Sequence, residues 1–125
     1  MITEDYVSFE VAKLLKEKGF DESCKAFITP NVNFALEEDR VFNHLLSDYE
    51  YAAPTHQMAM KWLRKKHHIH ANPIQQGNYN DYFEYYSWIV AKDGVIYRNQ
   101  SVSEKLSYED AVEAAIKYCL TNLIK

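Results

Sequence analysis

The fold is decided by the stretch DYFEYYSWIVAKDGVIY, which runs from Asp81 to Tyr97. Aromatic and β-branched side chains dominate residues 81–92, a composition that is typical of a β-strand. Because apolar side chains occupy both faces of that strand, the pattern predicts an interior strand and not an edge strand. Lys92-Asp93-Gly94 is a strong hairpin signal, since Asp-Gly tolerates the positive φ angles of a type I′ turn. Residues 95–97 are therefore predicted to return as an antiparallel strand.

Helices are predicted on both sides of this hairpin. The last helix is capped by Ser107, and its apolar side chains recur at helical spacing. An earlier helix opens at Pro54-Thr55 and ends near His67, and a strand is expected to follow through Ile69. The predicted apolar stripes are Met58, Ala59, Trp62 and Leu63 in the earlier helix, and Val112, Ala115, Ile116, Cys119, Leu120 and Leu123 in the last one.

The N-terminal half carries one helix and one candidate hairpin. Ser8 fits an N-cap, and Gly19 fits the left-handed residue that ends a helix. Residues 23–36 alternate with period two, and Pro30 is placed at the turn because proline cannot donate to a strand ladder. Residues 37–51 are expected to hold a short helix and to link the two halves of the chain.

Length and composition fit one globular domain. The chain has 125 residues, of which 47% are hydrophobic and 26% charged, and this balance excludes wholesale disorder. No apolar run approaches the roughly 20 residues that span a bilayer, and the opening residues are too acidic for a signal peptide, so we expect a soluble domain. We predict a single α+β domain over residues 1–125, with three main helices packed on one face of an antiparallel sheet. The C-terminal half is ordered helix-strand-strand-strand-helix, and the N-terminal hairpin is a further candidate member of the sheet.

Three segments are distinctive as strings: YVSFEVAKLLKEKGFDE (residues 6–22), APTHQMAMKWLR (residues 53–64) and YEDAVEAAIKYCL (residues 108–120). They resemble the opening, middle and closing segments of a group of small proteins encoded in gut-bacterial genomes and in their phages and mobile elements. That group has no assigned activity. The resemblance therefore implies a bacterial or phage cytoplasmic protein and supplies no catalytic residue.

Charge is unevenly distributed along the chain. Residues 1–54 hold 11 acidic and 5 basic residues, residues 55–76 hold 4 basic and no acidic residues, and the remainder holds 7 acidic and 5 basic residues. The net charge of −4 gives no overall positive field that would draw nucleic acid or an anionic membrane. The basic segment itself supports two interpretations: a surface that neutralises phosphates, or a solvated helix end stabilised by the helix dipole. Its basic residues are Lys61, Arg64, Lys65 and Lys66.

Clustered histidines follow the basic segment. His68 and His70 flank Ile69, so on a strand both imidazoles would project from one face, and His67 or His56 could add a third metal ligand. No carboxylate or cysteine lies near them in sequence, and histidines at a helix–strand junction are more often exposed polar residues. We therefore expect neither a metal site nor a cofactor.

The aromatic strand offers a second candidate surface. Tyr82, Tyr86 and Trp88 share one face of the predicted strand, while other aromatic side chains share the opposite face. One face must pack on the helices, and an exposed face of this composition is suited to stacking on bases or to contact with a protein. The predicted partner-binding residues are Tyr82, Tyr86 and Trp88.

Catalytic motifs are not found in the sequence: it contains no Gly-rich phosphate loop, Gly-x-Ser-x-Gly elbow or metalloprotease motif. Cys24 and Cys119 would need a positioned histidine to act as nucleophiles, and Cys119 falls on the apolar stripe of the last helix.

The predicted order of elements from residue 55 onwards is similar to that of the double-stranded-RNA-binding domain. That domain has basic residues at the start of its last helix, whereas Ser107–Asp110 is acidic. The leading hypothesis is a non-enzymatic module that binds an unknown protein partner. The alternative is a weak nucleic-acid-binding protein that uses the basic residues between positions 61 and 66.

Overall fold

The computed structural model describes residues 5–31, 33–76, 85–99 and 106–125. It is an α+β fold with three helices and antiparallel sheets, as predicted. The elements in chain order are α1 (Phe9–Glu17), β1 (Cys24–Ile28), β2 (Phe34–Val41), β3 (Tyr51–Ala52), α2 (His56–His67), β4 (Ile69–Gln76), β5 (Tyr85–Lys92), β6 (Val95–Arg98) and α3 (Tyr108–Tyr118). A 3₁₀ turn follows β2 at Asn43–Leu45, and one π-helical turn, Cys119–Leu123, continues α3. Within the described ranges, no helix combines the length and the apolar character needed to cross a bilayer.

The strands form two three-stranded antiparallel sheets, with orders β2-β1-β3 and β4-β5-β6. The aromatic strand β5 is the central strand of the second sheet, which confirms the predicted interior position. Asp93 and Gly94 have φ angles of 52° and 79°, so the β5–β6 hairpin turn has the positive values that the Asp-Gly pair predicts. The N-terminal hairpin does not join this sheet, because it pairs with β3 in a sheet of its own, in which β1 is the central strand. The edge position of β4 in turn explains how a strand accommodates Pro73.

The ends of α1 are formed by local signals that the sequence predicts. Ser8 Oγ accepts a hydrogen bond from the Val11 amide at 3.2 Å, which makes Ser8 the N-cap. Gly19 has a φ angle of 90°, and the Phe20 amide donates to the Leu15 carbonyl at 2.9 Å. Together with the bond from the Gly19 amide to the Lys16 carbonyl at 3.2 Å, this bond forms a Schellman motif. The motif turns Phe20 back into the core, where it is 1% exposed.

Residues 37–51 differ from the prediction. The hairpin around Pro30 is confirmed, but β2 continues to Val41 and no α-helix follows it, only the 3₁₀ turn. The buried Asn43 side chain explains the difference: its Nδ2 donates to the Phe20 carbonyl at 2.7 Å, and its Oδ1 accepts from the Ala52 amide at 2.8 Å. These two bonds hold the segment against the domain, so it is an integrated part of the first sheet and not a linker.

A bulge interrupts the pairing of β1 and β2. Cys24 pairs with Val41 and Ala26 pairs with Leu36, so β1 advances two residues where β2 advances five. The extra residues of β2 lie between positions 37 and 40 and are displaced from the ladder. The bulge therefore sets Glu37, Asp39 and Arg40 at the surface, with Arg40 beside α2.

The helices α2 and α3 both pack on the second sheet, and α1 packs on β3 and α3. The predicted α3 stripe is confirmed, since Val112, Ile116, Cys119 and Leu120 are fully buried. The helix α3 packs on β4 and β5 of the second sheet, and Ala71 of β4 is also buried. One continuous hydrophobic cluster thus connects the helices with both sheets.

Truncation of Ile116 tests this packing. We expect Ile116→Ala to lower the free energy of unfolding by about 2–5 kcal/mol, because it removes buried methyl groups and leaves a cavity. Denaturant unfolding with linear extrapolation measures the change. Thr121→Ala, at an exposed position of the following turn, is the control and should change stability by less than about 0.5 kcal/mol. If the two substitutions lowered the free energy of unfolding equally, the burial of Ile116 in the core would be contradicted.

Candidate binding groove

The helix α2 carries the basic segment on a firmly fixed scaffold. Thr55 Oγ1 accepts a hydrogen bond from the Met58 amide at 3.2 Å and begins the helix, and His68 ends it in the left-handed conformation. Ala59, Trp62 and Leu63 are buried, as the sequence predicts. The opposite side of the helix is exposed, and it presents the basic residues to solvent.

A groove of about 650 Å³ runs beside this exposed side of α2. Lys61, Lys65 and Lys66 line it from the helix, and Arg40 lines it from the β2 bulge. The apolar part of its lining comes from Met58 and from Trp62, which is itself part of the core. Glu22 and Ser23, in the connection between α1 and β1, complete it. We call this surface the basic groove.

The basic groove differs from the basic surface predicted from sequence in two residues. Arg64 is exposed but is not among the residues that line the groove. Arg40 belongs to the groove although it lies 21 positions before Lys61 in the chain, because the bulge carries it toward α2. The groove thus has four cationic groups and one carboxylate, that of Glu22. Ser23 Oγ, also in its lining, is buried and has no hydrogen-bond partner within the described chain.

A second, smaller groove of about 310 Å³ adjoins the first, since Arg40 lines both. Its charged residues are otherwise acidic: Glu37 and Asp39 from the bulge and Glu50 before β3. Leu45 and other apolar side chains from β1 and from the 3₁₀ turn provide the rest of its lining. We call this surface the acidic groove. Glu37 and Asp39 of the acidic run therefore lie together beside the basic groove.

The histidines do not form the predicted pair on a strand. His68 is the left-handed C-cap of α2 with a φ angle of 56°, and β4 begins only at Ile69. His70 is exposed on β4, whereas burial and the nearby positive charge of Lys66 lower the pKa of His67. The His67 ring packs edge-on against Trp62, with ring centroids 4.7 Å apart. In the part of the chain that is described, no group of three or more His, Cys, Asp or Glu residues could hold a metal ion.

The predicted aromatic partner-binding face is only partly available to a partner. Trp88 is 7% exposed and stacks against Tyr118 at a centroid distance of 4.9 Å, so its assignment to an exposed face is wrong. Tyr86 is half-buried, and its ring contacts that of Tyr108 at 5.3 Å. Tyr82 lies outside the described residues. The physical reason is that the strand directs Trp88 and the buried Val90 toward the helices.

A polar cluster that the sequence analysis did not identify joins the N-terminal ends of α1 and α2 to the middle of α3. Glu113 of α3 accepts hydrogen bonds from the Ser8 amide at 2.7 Å and from Ser8 Oγ at 2.8 Å. Its Oε1 also lies 3.0 Å from Nε2 of the buried His56. Serine, histidine and carboxylate are the residue types of a catalytic triad, but here the hydroxyl bonds the carboxylate and not the imidazole that would have to activate it. The cluster therefore serves to connect α1, α2 and α3.

Both cysteines lie in the core, as the sequence suggests for Cys119. Burial raises the pKa of the Cys24 thiol and of the Cys119 thiol to about 12. A thiol with such a pKa has almost no thiolate at neutral pH, and the thiolate is the reactive form. Neither cysteine has the properties of a nucleophile.

This protection can be measured by alkylation. At about pH 8 we expect iodoacetamide to modify the folded protein more than about a hundredfold more slowly than the same protein in guanidinium chloride, because the folded thiols stay protonated and buried. Intact-mass spectrometry over time gives both rates. Rapid modification of either cysteine in the folded protein would contradict the burial of that thiol.

The C-terminal half has the helix-strand-strand-strand-helix order, and the first turn of α3 carries Glu109 and Asp110. A phosphate backbone would be repelled there, so the likeness to a double-stranded-RNA-binding domain remains one of topology. Topology alone does not assign a function. Comparison of the chain with protein-family models, curated proteins and solved structures finds no match.

Proposed function

We propose that this chain is a non-enzymatic protein-interaction module whose binding surface is the basic groove, and that the groove takes an acidic, partly apolar segment of a partner protein. The observation that carries the proposal is the combination of four cationic side chains with an apolar wall. Lys61, Lys65 and Arg40 can pair with carboxylates, while Trp62 and Met58 can pack against an apolar anchor.

The two kinds of contact have different roles. Exposed ion pairs contribute only about 0.2–1 kcal/mol each, so the lysines alone would give weak binding. An apolar side chain buried against the wall of the groove contributes about 1.5–3 kcal/mol. The apolar anchor therefore supplies much of the affinity, and the charges supply orientation, selectivity and a faster association rate.

An acidic protein segment fits this surface better than a nucleic acid does. A nucleic acid is a long polyanion, and beyond the groove its backbone would meet the acidic groove at Glu37 and Asp39. Glu22 also lies in the lining of the basic groove itself. A short segment of a protein can place its carboxylates against the cations and end before it reaches these acidic residues.

Peptide binding tests the proposal directly. We expect a labelled peptide of glutamate, leucine and tyrosine residues to bind the full chain in fluorescence anisotropy, and a lysine-for-glutamate version not to bind. Lys61→Glu should weaken binding at least about tenfold, because it replaces an attraction by a repulsion at short range. Arg64→Glu is the matched control: it makes the same charge change on the exposed side of the same helix but outside the groove. Equal loss in both variants, or no binding to either peptide, would contradict the proposed function.

Nucleic-acid binding by Lys61, Arg64, Lys65 and Lys66 stays the alternative. Three or four phosphate contacts would give a slope of log affinity against log salt of roughly −3 to −4. We expect no binding to DNA or RNA, single-stranded or duplex, that is tighter than about 10⁻⁵ M at physiological salt, since the acidic surroundings oppose it. Anisotropy with labelled oligonucleotides at two salt concentrations measures this. Submicromolar binding that is abolished by Lys61→Glu combined with Arg64→Glu would replace the protein-interaction proposal by the alternative.

A further inference from the structure

The segment from the last residue of the 3₁₀ turn to the residue before β3 has the chemistry that the basic groove is proposed to bind. Its sequence is LLSDYE, residues 45–50, which combines two carboxylates with leucine and tyrosine side chains. Leu45 is 71% exposed and Tyr49 is 74% exposed, the highest values among the large hydrophobic residues that the structure describes as exposed. We call this segment the acidic loop.

The acidic loop is held in a defined conformation. Lys16 Nζ donates to the carbonyls of Ser47 and Glu50, both at 2.9 Å, and the Glu50 carboxylate accepts a hydrogen bond from Ser47 Oγ at 3.0 Å. At the start of the loop, the His44 amide donates to the Asp21 carboxylate at 3.0 Å, and this bond holds the pKa of Asp21 below its ordinary value. A surface that is ordered before binding loses less conformational entropy when it binds. Exposed apolar side chains on such a loop are therefore suited to an interface.

The acidic loop and the basic groove lie on neighbouring parts of one surface. Leu45 and Glu50 line the acidic groove, which shares Arg40 with the basic groove. A positive and a negative patch side by side form a self-complementary pattern. A two-fold rotation between two copies brings each positive patch onto the negative patch of the other copy, and such a contact closes as a dimer without leaving a free end.

We infer that a second copy of this chain is a partner of the basic groove, and that the two copies form a symmetric dimer in which the acidic loop of each lies in the basic groove of the other. This inference rests on the proposed function, because it uses the same groove. In the dimer, Asp48 and Glu50 face the lysines of α2, while Leu45 and Tyr49 cover the apolar wall. The dimer and an acidic segment of another protein compete for the groove, so self-association closes the site until such a segment displaces it.

Charge reversal in the two patches tests the dimer. Sedimentation velocity of the full chain over a range of concentrations should show a monomer–dimer equilibrium at low salt that weakens at about 0.5 M salt, where charges are screened within about 4 Å. Lys61→Glu with Lys65→Glu reverses the groove, and Asp39→Lys with Asp48→Lys reverses the acidic side. Each double variant should raise the dimer Kd at least about tenfold.

An equimolar mixture of the two double variants tests whether the groove of one copy contacts the acidic loop of the other. In a mixed dimer, the reversed loop faces the reversed groove and the unchanged loop faces the unchanged groove, so both contacts regain their attraction. An equimolar mixture should therefore sediment as a dimer although neither variant does so alone. Arg64→Glu, outside the groove, should leave the dimer unchanged, and circular dichroism spectra verify that every variant is folded.

The outcomes separate this inference from the proposed function. A chain that stays monomeric at all concentrations, a dimer that is insensitive to both reversals, or a mixture that does not reassociate would overturn the dimer. If the monomeric chain still binds the glutamate-leucine-tyrosine peptide, the proposed function stands and only the dimer is wrong. If the chain dimerises as inferred, the same peptide should shift the sedimentation profile toward the monomer.

Discussion

The three helices are connected by the hydrogen bonds and contacts of one carboxylate, that of Glu113. It accepts two hydrogen bonds from Ser8, the N-cap of α1, and contacts the imidazole of His56, the first residue of α2. The segment before α1 is bonded to the same region through the backbone, since the Val7 amide donates to the Pro54 carbonyl. A charged acceptor with several donors is stable when partly buried, whereas its loss would leave the buried His56 without its partner. The cluster thus connects the first residue of α2, the helix that lines the basic groove, with α1 and α3.

The groove is a product of tertiary structure and not of the helix alone. A basic stretch on a single helix is most simply a solvated surface, and the dipole of α2 already favours cations in its last turn. The structure adds an apolar wall from Trp62 and a fourth cation, Arg40, from the β2 bulge. An apolar wall beside several cations is more selective than either feature by itself, because a ligand must satisfy both.

Local signals in the sequence were sufficient for much of the fold. The N-cap at Ser8, the left-handed Gly19 and the Asp93-Gly94 turn each depend on a few consecutive residues, and all three are confirmed. Features of the fold that depend on contacts between distant residues cannot be predicted from local sequence patterns. Apolar side chains on both faces of β5 do not indicate which face meets the helices, and the predicted exposed position of Trp88 is therefore wrong. The sequence does not predict that Arg40 lies beside α2, because its position depends on a bulge and no local sequence pattern indicates that bulge.

Two copies that each carry a net charge of −4 repel each other, but this repulsion is compatible with the proposed contact. The repulsion by net charge and the attraction between local patches act at different distances. Beyond the Debye length of about 8 Å at physiological ionic strength, the pattern on each surface is screened, and only a weak mutual repulsion between the copies remains. At contact, the local pattern dominates, and it is favourable only in the orientation that places the cations of α2 against carboxylates. Other orientations bring like charges together and are disfavoured. In the proposed dimer, the acidic residues beside the basic groove would thus limit association to one geometry.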